Sequence, residues 1–416
     1  MNVKQEYKQT EFGPIPSDWI LCPFQDVLAT FSSGATPYRG IPEYYKGNVR
    51  WISSGELNYN KIFDTIEHIS QQAVRNTNLR VHQPGTFLMA ITGLEAEGTR
   101  GRCAFVGAPA TTNQSCLAIN GTERMCTEYL FWFYRMWGQY LAFKYCQGTK
   151  QQSYTANIVR NLPIYGPKDI AEQQAIAEAL NDIDGLIAVL DKKIAKKRLI
   201  KQGAMQQLLT GKKRLPGFTG DWIEIRLGDY TTMNSGGTPS SSISEYYNGD
   251  IPFLSISDIT TSGKYIKKTE KTITKKGLQN SSARMFPQGT IMFAMYASLG
   301  KTSIADIELS CSQAILGITP NDKIDSNYLY YYLSFVENSV KEMGQTGTQT
   351  NLSKQIVQDF LLYIPNQSNE QQAIATILTD MDKEIADLEA KRDKYQLLKS
   401  GMMQKLLTGQ IRLKKE

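Results

Sequence analysis

The sequence predicts an α+β protein with two homologous mixed α/β modules, joined by two long helices that form an antiparallel coiled coil with pseudo-two-fold symmetry. Residues 172–211 begin Glu-Gln-Gln-Ala-Ile-Ala and end Leu-Leu-Thr-Gly, and the pattern returns 198 residues later without a gap. Shorter motifs that precede the first stretch also recur before the second. An internal repeat of this length determines the architecture and is therefore interpreted first.

Both repeated stretches are predicted to be helices about 40 residues long, which corresponds to roughly 60 Å at the rise of an α-helix. Their apolar residues alternate at spacings of four and three, the seam of a coiled coil. We expect each helix to end at Thr-Gly, where glycine can take the left-handed conformation. The predicted seam contains Ile176, Leu180, Ile183, Ile187 and Leu190 in the first helix and Ile374, Leu378, Met381, Ile385 and Leu388 in the second.

Packing of the two helices on each other would bury both seams. The alternative is that they are core helices of separate domains, which the polar residues outside the seam disfavour. We divide the chain into a first module (residues 1–167), a first helix (168–212), a second module (213–366) and a second helix (367–416).

The repeat extends through both modules. Gly-x-Thr-Pro occurs at residues 34–37 and 236–239, and a Glu-Tyr-Tyr follows each copy. Buried strands are predicted at 86–92, 103–106 and 290–297. Helices with an apolar stripe are predicted at 127–146 and 326–343. The first of these is rich in aromatic residues, which favours a core helix over a base-stacking platform.

Composition limits the class of protein. Of 416 residues, 41% are hydrophobic and 21% charged, as is usual for soluble globular chains, and the net charge of +6 permits nucleic-acid binding. No apolar run approaches the length of a membrane span, and the N-terminus lacks the apolar core of a signal peptide. Six cysteines without Cys-x-x-Cys spacing and only two histidines predict free thiols in a reducing cytoplasm and no zinc site.

No catalytic centre or bound cofactor is predicted. Gly300-Lys301-Thr302 resembles the end of a phosphate-binding loop, but Met295 stands where that motif requires glycine. Asp306 and Glu308 resemble a nuclease carboxylate pair, but Ser310 occupies the place of the required lysine. The Asn-Pro-Pro-aromatic signature of amino-methylating enzymes is absent from the sequence.

Polar loops at matching points of both modules favour DNA binding. Gln, Asn and Arg can read base edges, and Ser, Thr and Lys can hold phosphates. The alternative for each loop is an ordinary solvated turn. The candidate DNA-contacting residues are Ser33, Thr36, Arg39, Arg100, Arg102, Lys150, Gln151, Gln152 and Tyr154 in the first module and Ser235, Thr238, Ser240, Lys301, Thr348, Gln349 and Asn351 in the second.

The first helix also carries a basic run from Lys192 to Arg214, with nine basic residues and no acidic one. This run is interpreted as either a solvated helix face or a stripe that faces DNA phosphates.

The order of module, helix, module and helix resembles the specificity subunit of Type I restriction–modification systems. The resemblance rests on the Pro-x-x-Trp-like starts (16–19, 218–222), Gly-x-Thr-Pro, the Pro-Gly-Thr-like turns, and the Glu-Gln-Gln and Leu-Leu-Thr-Gly ends of the helices. It covers essentially the whole chain. The loop after the first Pro-Gly-Thr turn is longer than its counterpart, so its contacts do not transfer between the modules.

The resemblance implies a non-catalytic subunit whose modules each read half of a bipartite double-stranded DNA target. The coiled coil would set the spacing between the half-sites. We further hypothesise that both modules meet the major groove from one side, about one helical turn of DNA apart or slightly less. The coiled coil would also dock two modification (methyltransferase) subunits, which restriction subunits then join. S-adenosylmethionine, ATP and magnesium would be bound by those partners. The competing hypotheses are a coiled-coil adaptor that binds proteins only and, less favoured, a self-sufficient methyltransferase.

Overall fold

The computed structural model describes residues 6–95, 98–148, 152–346 and 351–413. The chain divides into two compact units. Unit 1 comprises Met1–Leu190 and Lys391–Glu416, and unit 2 comprises Asp191–Ala390. Each unit contains one module and one half of each long helix.

The module of unit 1 is built mainly from short strands. They are β1 (Tyr7–Thr10), β2 (Gly13–Pro16), β3 (Ile20–Pro23), β4 (Ala29–Ser33), β5 (Val49–Ile52), β6 (Lys61–Ile62), β7 (Glu67–Ile69), β8 (Phe87–Ala90), β9 (Cys103–Val106), β10 (Ala110–Thr112), β11 (Cys116–Asn120) and β12 (Pro163–Gly166). The helices are α1 (Gln71–Asn76), α2 (Thr127–Tyr145), α3 (Ala156–Arg160) and the long α4 (Ile170–Leu208). The central sheet has the order β4-β11-β8-β9-β6, and β10-β5-β7 form a smaller sheet.

The module of unit 2 repeats this plan. Its strands are β13 (Trp222–Arg226), β14 (Thr231–Ser235), β15 (Tyr247–Leu254), β16 (Tyr265–Ile266), β17 (Lys271–Ile273), β18 (Met285–Phe286), β19 (Ile291–Ala294), β20 (Thr302–Ala305), β21 (Leu309–Cys311), β22 (Ile315–Pro320) and β23 (Leu361–Pro365). Its helices are α5 (Ile256–Thr261), α6 (Lys275–Gln279), α7 (Ser326–Thr346), α8 (Lys354–Gln358) and the long α9 (Ser368–Leu407). The central sheet, β14-β22-β19-β20-β16, has the strand order of its counterpart.

The predicted core elements are confirmed. Strands β8, β9 and β19 fall inside the predicted segments, and every residue in them is buried. Burial on both faces explains why they read as continuous apolar runs rather than as an alternating pattern. Helix α2 buries six consecutive residues, Tyr129 to Tyr134, so its aromatic side chains belong to the core, as predicted.

The long helices run antiparallel within each unit. In unit 1, Asp184 of α4 lies 2.5 Å from Lys399 of α9, while the earlier residue Glu172 contacts the later Arg412 at 2.6 Å. In unit 2, the corresponding pair is Lys201 and Asp382, again 2.5 Å apart. Later residues of α4 therefore contact earlier residues of α9, as expected for an antiparallel pair.

The seam prediction is confirmed, with two refinements. Buried seam residues are Ile176, Leu180, Ile183, Ile187, Leu190, Ile374, Leu378 and Ile385, whereas Met381 and Leu388 are partly exposed. Ile176 and Leu180 also belong to the core of the first module, and Ile374 and Leu378 to that of the second. The N-terminal ends of the long helices are thus core elements of a module as well as parts of the helical pair.

Four of the nine residues in the basic run from Lys192 to Arg214 form ion pairs with α9. Lys197 lies 2.7 Å from Glu384, Arg198 lies 2.5 Å from Glu389, and Arg214 lies 2.6 Å from Glu370. With the Lys201–Asp382 pair, four of the predicted stripe residues bind carboxylates within unit 2. These four cations already neutralise acidic partners, so a phosphate-facing stripe would have to use the other five, Lys192, Lys193, Lys196, Lys212 and Lys213, which are exposed.

The repeated Glu-Gln-Gln sequence joins each module to its long helix. The Gln173 carboxamide accepts a hydrogen bond from the backbone N–H of Cys126 at 2.9 Å and donates to the backbone carbonyls of Arg124 and Pro167, each at 2.8 Å. Its side chain is fully buried, so every polar atom needs such a partner. From the sequence, Gln173 could be recognised only as part of the repeated Glu-Gln-Gln motif.

Gln371 makes the same joint in unit 2. It accepts from the backbone N–H of Asp325 at 2.9 Å and donates to the carbonyls of Lys323 at 3.1 Å and Pro365 at 2.9 Å. The two joints therefore use equivalent backbone atoms of the two modules. We call Gln173 and Gln371 the joint glutamines.

The glutamate of the same sequence binds the segment that follows the other long helix. Glu172 is buried and receives two hydrogen bonds from Arg412, which also binds Asp18. Arg412 follows Gly409, whose φ of +70° confirms the predicted left-handed end of α9. Gly211 ends α4 in the same conformation, with φ of +68°.

Candidate nucleic-acid interface

In unit 1, the predicted polar loops leave the central sheet at one edge. Ser33 at the end of β4 is opposite Leu117 of β11, and Cys116 at the start of β11 is opposite Ala90 at the end of β8. The Ala90 N–H donates to the carbonyl of Arg102, immediately before β9, at 3.0 Å. The loops that follow β4 and β8 and the loops that precede β9 and β11 therefore meet the sheet side by side.

Unit 2 builds the same edge from its own residues. Ser235 at the end of β14 is opposite Leu316, and Ala294 at the end of β19 is opposite Ile315. The Ala294 N–H donates to the carbonyl of Lys301 at 2.9 Å. Lys301 thus occupies the position of Arg102, which places a basic residue at the same point of both edges. We call these two edges the loop edges.

A threonine–glutamine hydrogen bond recurs at both loop edges. The Thr36 hydroxyl donates to the carboxamide oxygen of Gln114, and the Thr238 hydroxyl donates to that of Gln313. All four residues are exposed. Each loop edge therefore pairs a predicted threonine with a glutamine, Thr36 with Gln114 in unit 1 and Thr238 with Gln313 in unit 2. The two glutamines were not among the candidate DNA contacts, although they occupy matching places in the sequence.

A second polar group in unit 1 joins the loop before β9 to the loop before α3. Arg100 donates to the Gln152 carboxamide oxygen at 3.1 Å and to the Glu95 carbonyl at 3.2 Å. The Gln152 backbone N–H donates to the Glu95 carboxylate at 3.2 Å. Arg102 donates to the Gly98 carbonyl at 2.7 Å. The structure thus brings Arg100, Arg102 and Gln152 to the loop edge of unit 1.

Tyr154 requires a correction. Its side chain is only 4% exposed, and its backbone N–H donates to the Ile91 carbonyl at 2.8 Å. In unit 2, Leu352 makes the equivalent bond to Met295 at 3.0 Å and is likewise buried. Both residues lie in the core, and burial raises the pKa of the Tyr154 hydroxyl above its usual range. A direct contact between Tyr154 and DNA is inconsistent with this position.

Arg39 forms an ion pair with a carboxylate. Its guanidinium donates to both oxygens of Glu67, at 2.6 and 2.8 Å, and lies over the Tyr45 ring, 4.4 Å from the centroid. The hydrogen bond from Arg39 lowers the pKa of Glu67. Two of the guanidinium donors are therefore occupied, and the predicted bidentate reading of a base by Arg39 would require this pair to break.

The remaining candidates divide into two groups. Ser240 is exposed and shares a 2.8 Å hydrogen bond with Ser242, and Asn351 is exposed next to buried Leu352. Lys150, Gln151, Thr348 and Gln349 lie outside the described residues.

The chemistry of the loop edges is that of binding. They present hydroxyls, carboxamides and basic groups, which suit phosphates and base edges.

Among the residues that the structure describes, no group of His, Cys, Asp and Glu could hold a metal ion. Burial raises the pKa of Cys126 to about 11 and that of Cys311 to about 12, so these thiols are protonated at neutral pH and are poor nucleophiles. Within the described ranges, no helix has the length and apolarity of a membrane span.

Comparison with known proteins gives a consistent result. A family model described as Type I restriction modification DNA specificity domain matches residues 16–197 and, a second time, 219–397. The MjaVIII specificity subunit of a type I restriction enzyme from Methanocaldococcus jannaschii is 23% identical over 438 residues, which cover 99% of this chain and 98% of the relative. The MjaIX specificity subunit from the same organism is 33% identical over 165 residues, 39% of this chain and 38% of the relative.

The fold also matches a solved structure. The S subunit of a Type I restriction–modification system from M. genitalium superimposes with a TM-score of 0.63 at 15% identity, covering 93% of this chain and 96% of that one. At this identity, the likeness concerns the fold alone.

Two copies of a DNA specificity domain, each matched together with most of its long helix, define a tandem recognition protein without a catalytic domain of its own. Because the family model covers most of the chain, the protein belongs to the specificity subunits of Type I restriction–modification systems. These subunits are non-catalytic, which agrees with the absence of a catalytic motif in the sequence.

Proposed function

We propose that the chain reads a bipartite double-stranded DNA target, one half-site through each module, and carries two modification methyltransferase subunits on its helical pair. The transfer of methyl groups from S-adenosylmethionine would occur on those partners. Restriction subunits, with their ATP and magnesium requirement, would join the same assembly.

The observation that carries the proposal is the duplicated loop edge. The framework is the same in both modules, down to the basic residue before β9 and β20 and the threonine–glutamine bond. The side chains around it differ, because unit 1 has the Arg100–Gln152–Glu95 group and a longer loop. Two modules that share a backbone framework but differ in the surrounding side chains are expected to bind two half-sites of different sequence.

Exposed apolar residues on the long helices support two docking sites for one kind of partner. Leu199 and Ile200 of α4 are 69% and 46% exposed, and Leu397 and Leu398 of α9 are 76% and 49% exposed. The second pair follows the first by 198 residues, the repeat distance. Neighbouring exposed apolar side chains on polar helices mark interaction surfaces, and two equivalent pairs favour two copies of the same subunit.

The decisive experiment replaces one module. Residues 213–366 are exchanged for those of another family member, and methylated adenines are mapped genome-wide in cells that also contain the partner methyltransferase. We expect one half of the methylated motif to change and the other half to persist. The reciprocal exchange of residues 1–167 is the matched control and should change the other half only. A single exchange that alters both halves would contradict one-module, one-half-site recognition.

The alternative is a coiled-coil adaptor that binds proteins and not DNA. It accounts for the helical pair but not for the duplicated loop edges. Duplex binding by the complex of chain and methyltransferase, measured across salt concentrations, separates the two hypotheses, because phosphate contacts make affinity fall steeply with salt. Absence of duplex binding at low salt would favour the adaptor.

A further inference from the structure

Each loop edge presents a glutamine whose side chain is held in one orientation. Because the Thr36 and Thr238 hydroxyls donate to the carboxamide oxygens of Gln114 and Gln313, each NH2 group points away from its threonine. Both glutamines are exposed. The fold thus presents a pair of N–H donors outward at the same position of both modules.

The turns that carry the glutamines are fixed to the smaller sheet of each module, which is β10-β5-β7 in unit 1 and β17-β15-β21-β18 in unit 2. The residue before Gln114, Asn113, donates its backbone N–H to the Ile52 carbonyl at 2.9 Å. The residue before Gln313, Ser312, donates to the Leu254 carbonyl at 3.0 Å. These bonds tie each turn to the end of β5 or β15, so the glutamine backbone is held at a defined height above the sheet edge.

The loops that carry the threonines are equally constrained. Tyr45 donates to the Pro37 carbonyl at 2.6 Å, and Tyr247 donates to the Pro239 carbonyl at 2.5 Å. The loop also lies so close to the neighbouring strand that a Cβ atom on Gly34 would lie 1.8 Å from the Thr112 carbonyl oxygen. Such a loop has little freedom left to lose when a ligand binds, which favours affinity.

A group that is the same in both modules cannot distinguish two unlike half-sites. The phosphate backbone is the same along every half-site, and its oxygens accept hydrogen bonds from outward N–H donors. We propose that Gln114 and Gln313 each donate a hydrogen bond to a DNA phosphate and thereby set the register of their module on the duplex. This inference rests on the proposed function, since it assumes that the modules bind DNA.

The first test uses the complex of the full chain with its modification methyltransferase. Gln114→Glu and Gln313→Glu keep the side-chain shape, remove the donors and add a negative charge. We expect each to weaken binding about tenfold, because a hydrogen bond to a charged phosphate is lost. The loss should be equal for a target duplex and a scrambled duplex. Gln396→Glu, on an exposed position of α9, is the control for the change in charge.

The second test replaces single phosphates by neutral methylphosphonates in the target duplex. In each half-site, one replacement should weaken binding of the wild-type complex and have no further effect on the Gln114→Ala or the Gln313→Ala complex, respectively. Thermal denaturation of each variant shows whether its module is folded, and the wild-type measurements do not depend on any variant.

The outcomes separate this inference from the proposed function. If Gln114→Glu changes the preferred bases of one half-site, the glutamine reads bases and the phosphate assignment is wrong. If both folded variants bind as tightly as the wild type, the glutamines make no contact, and the inference fails while half-site recognition stands. If the wild-type complex does not prefer the target over the scrambled duplex, the proposed function itself fails.

Discussion

At the residue scale, a buried glutamine side chain carries the connection between each module and its long helix. Gln173 bonds three backbone groups of unit 1, and an alanine there would leave a buried N–H and two carbonyls without partners. The next residue, Gln174, is exposed and belongs to the same sequence motif. Substitutions of Gln173 and Gln174 can therefore be compared, because the two residues have the same side chain and are adjacent, and differ in burial.

We expect Gln173→Ala to lower the free energy of unfolding by about 3 kcal/mol, and Gln174→Ala to change it by less than about 0.5 kcal/mol. Urea denaturation followed by tryptophan fluorescence measures both, since Trp19 and Trp132 are buried in unit 1. Gln371→Ala and Gln372→Ala provide the same comparison in unit 2. Equal effects of the buried and exposed substitutions would show that the joint glutamines do not stabilise the modules.

A buried histidine makes unit 1 sensitive to acid. The His82 side chain is 4% exposed, and burial lowers its pKa from 6.5 to about 4. The unfolded chain then takes up the proton first, so the stability contributed by neutral His82 is complete above pH 6.5 and is lost as the pH falls toward 4. The loss is on the order of 3 kcal/mol over that window.

We expect His82→Gln to flatten the dependence of unfolding free energy on pH between about 6.5 and 4. Urea midpoints at several pH values measure the slope. His68→Gln is the matched control, because the His68 side chain is 31% exposed and lies on the surface beside Asp64. An unchanged slope in the His82 variant would contradict a buried neutral imidazole.

At the scale of elements, the two exposed apolar pairs of the long helices predict a stoichiometry. We expect Leu397→Ser to reduce the number of bound methyltransferase subunits from two to one, and Leu199→Ser with Leu397→Ser to reduce it to none. Both leucines are more than two-thirds exposed, so their loss should leave folding intact. Native mass spectrometry of the assembled complex gives the count.

Val189→Ser is the control for the docking prediction. Val189 is 62% exposed on α4, but the residue one repeat later is Asp387, so it has no apolar counterpart. Two subunits should therefore remain bound to this variant. Retention of both subunits by the double leucine variant would place the docking surface elsewhere.

The elements that the sequence predicted well are those whose signal is local. The seam spacing of α4 and α9 and the continuous apolar runs of β8 and β19 repeat within a few residues, so helix and strand could be recognised directly. The loop edges could also be anticipated, because their residues recur at equal places in both halves. Exposure of Met381 and Leu388 was not predictable, since their spacing equals that of the buried seam positions.

The features that the sequence did not reveal depend on partners that are distant along the chain. Arg39 binds Glu67, 28 residues away, and nothing in the loop around Arg39 indicates that carboxylate. Tyr154 lies among polar residues in the sequence but is buried. The role of Gln173 depends on backbone atoms more than 40 residues earlier. Such pairs are fixed by the tertiary register of the strands, which a single sequence does not encode in any local pattern.

At the scale of the whole molecule, the helical pair is proposed to act as a ruler between the two modules. Four residues inserted in the middle of one long helix add about 6 Å of helix, and base pairs are about 3.4 Å apart. If the coil is maintained, we expect the unspecified spacer of the methylated motif to lengthen by about one or two base pairs. Mapping of methylated adenines measures the spacer.

The half-sites themselves serve as the internal control for the insertion. Because the modules are unaltered, the bases of both half-sites should persist while the distance between them changes. An unchanged spacer with full methylation would show that the helices do not set the separation.

The joint glutamines have a consequence for the exchange of modules in this chain. Gln173 and Gln371 reach only backbone atoms of the modules, namely one N–H and two carbonyls in each unit. An incoming module needs to supply that backbone geometry and no particular side chain at these contacts. If each module reads its own half-site as proposed, an exchange of modules at the repeated helix sequences would change the specificity in one step and leave the joint intact.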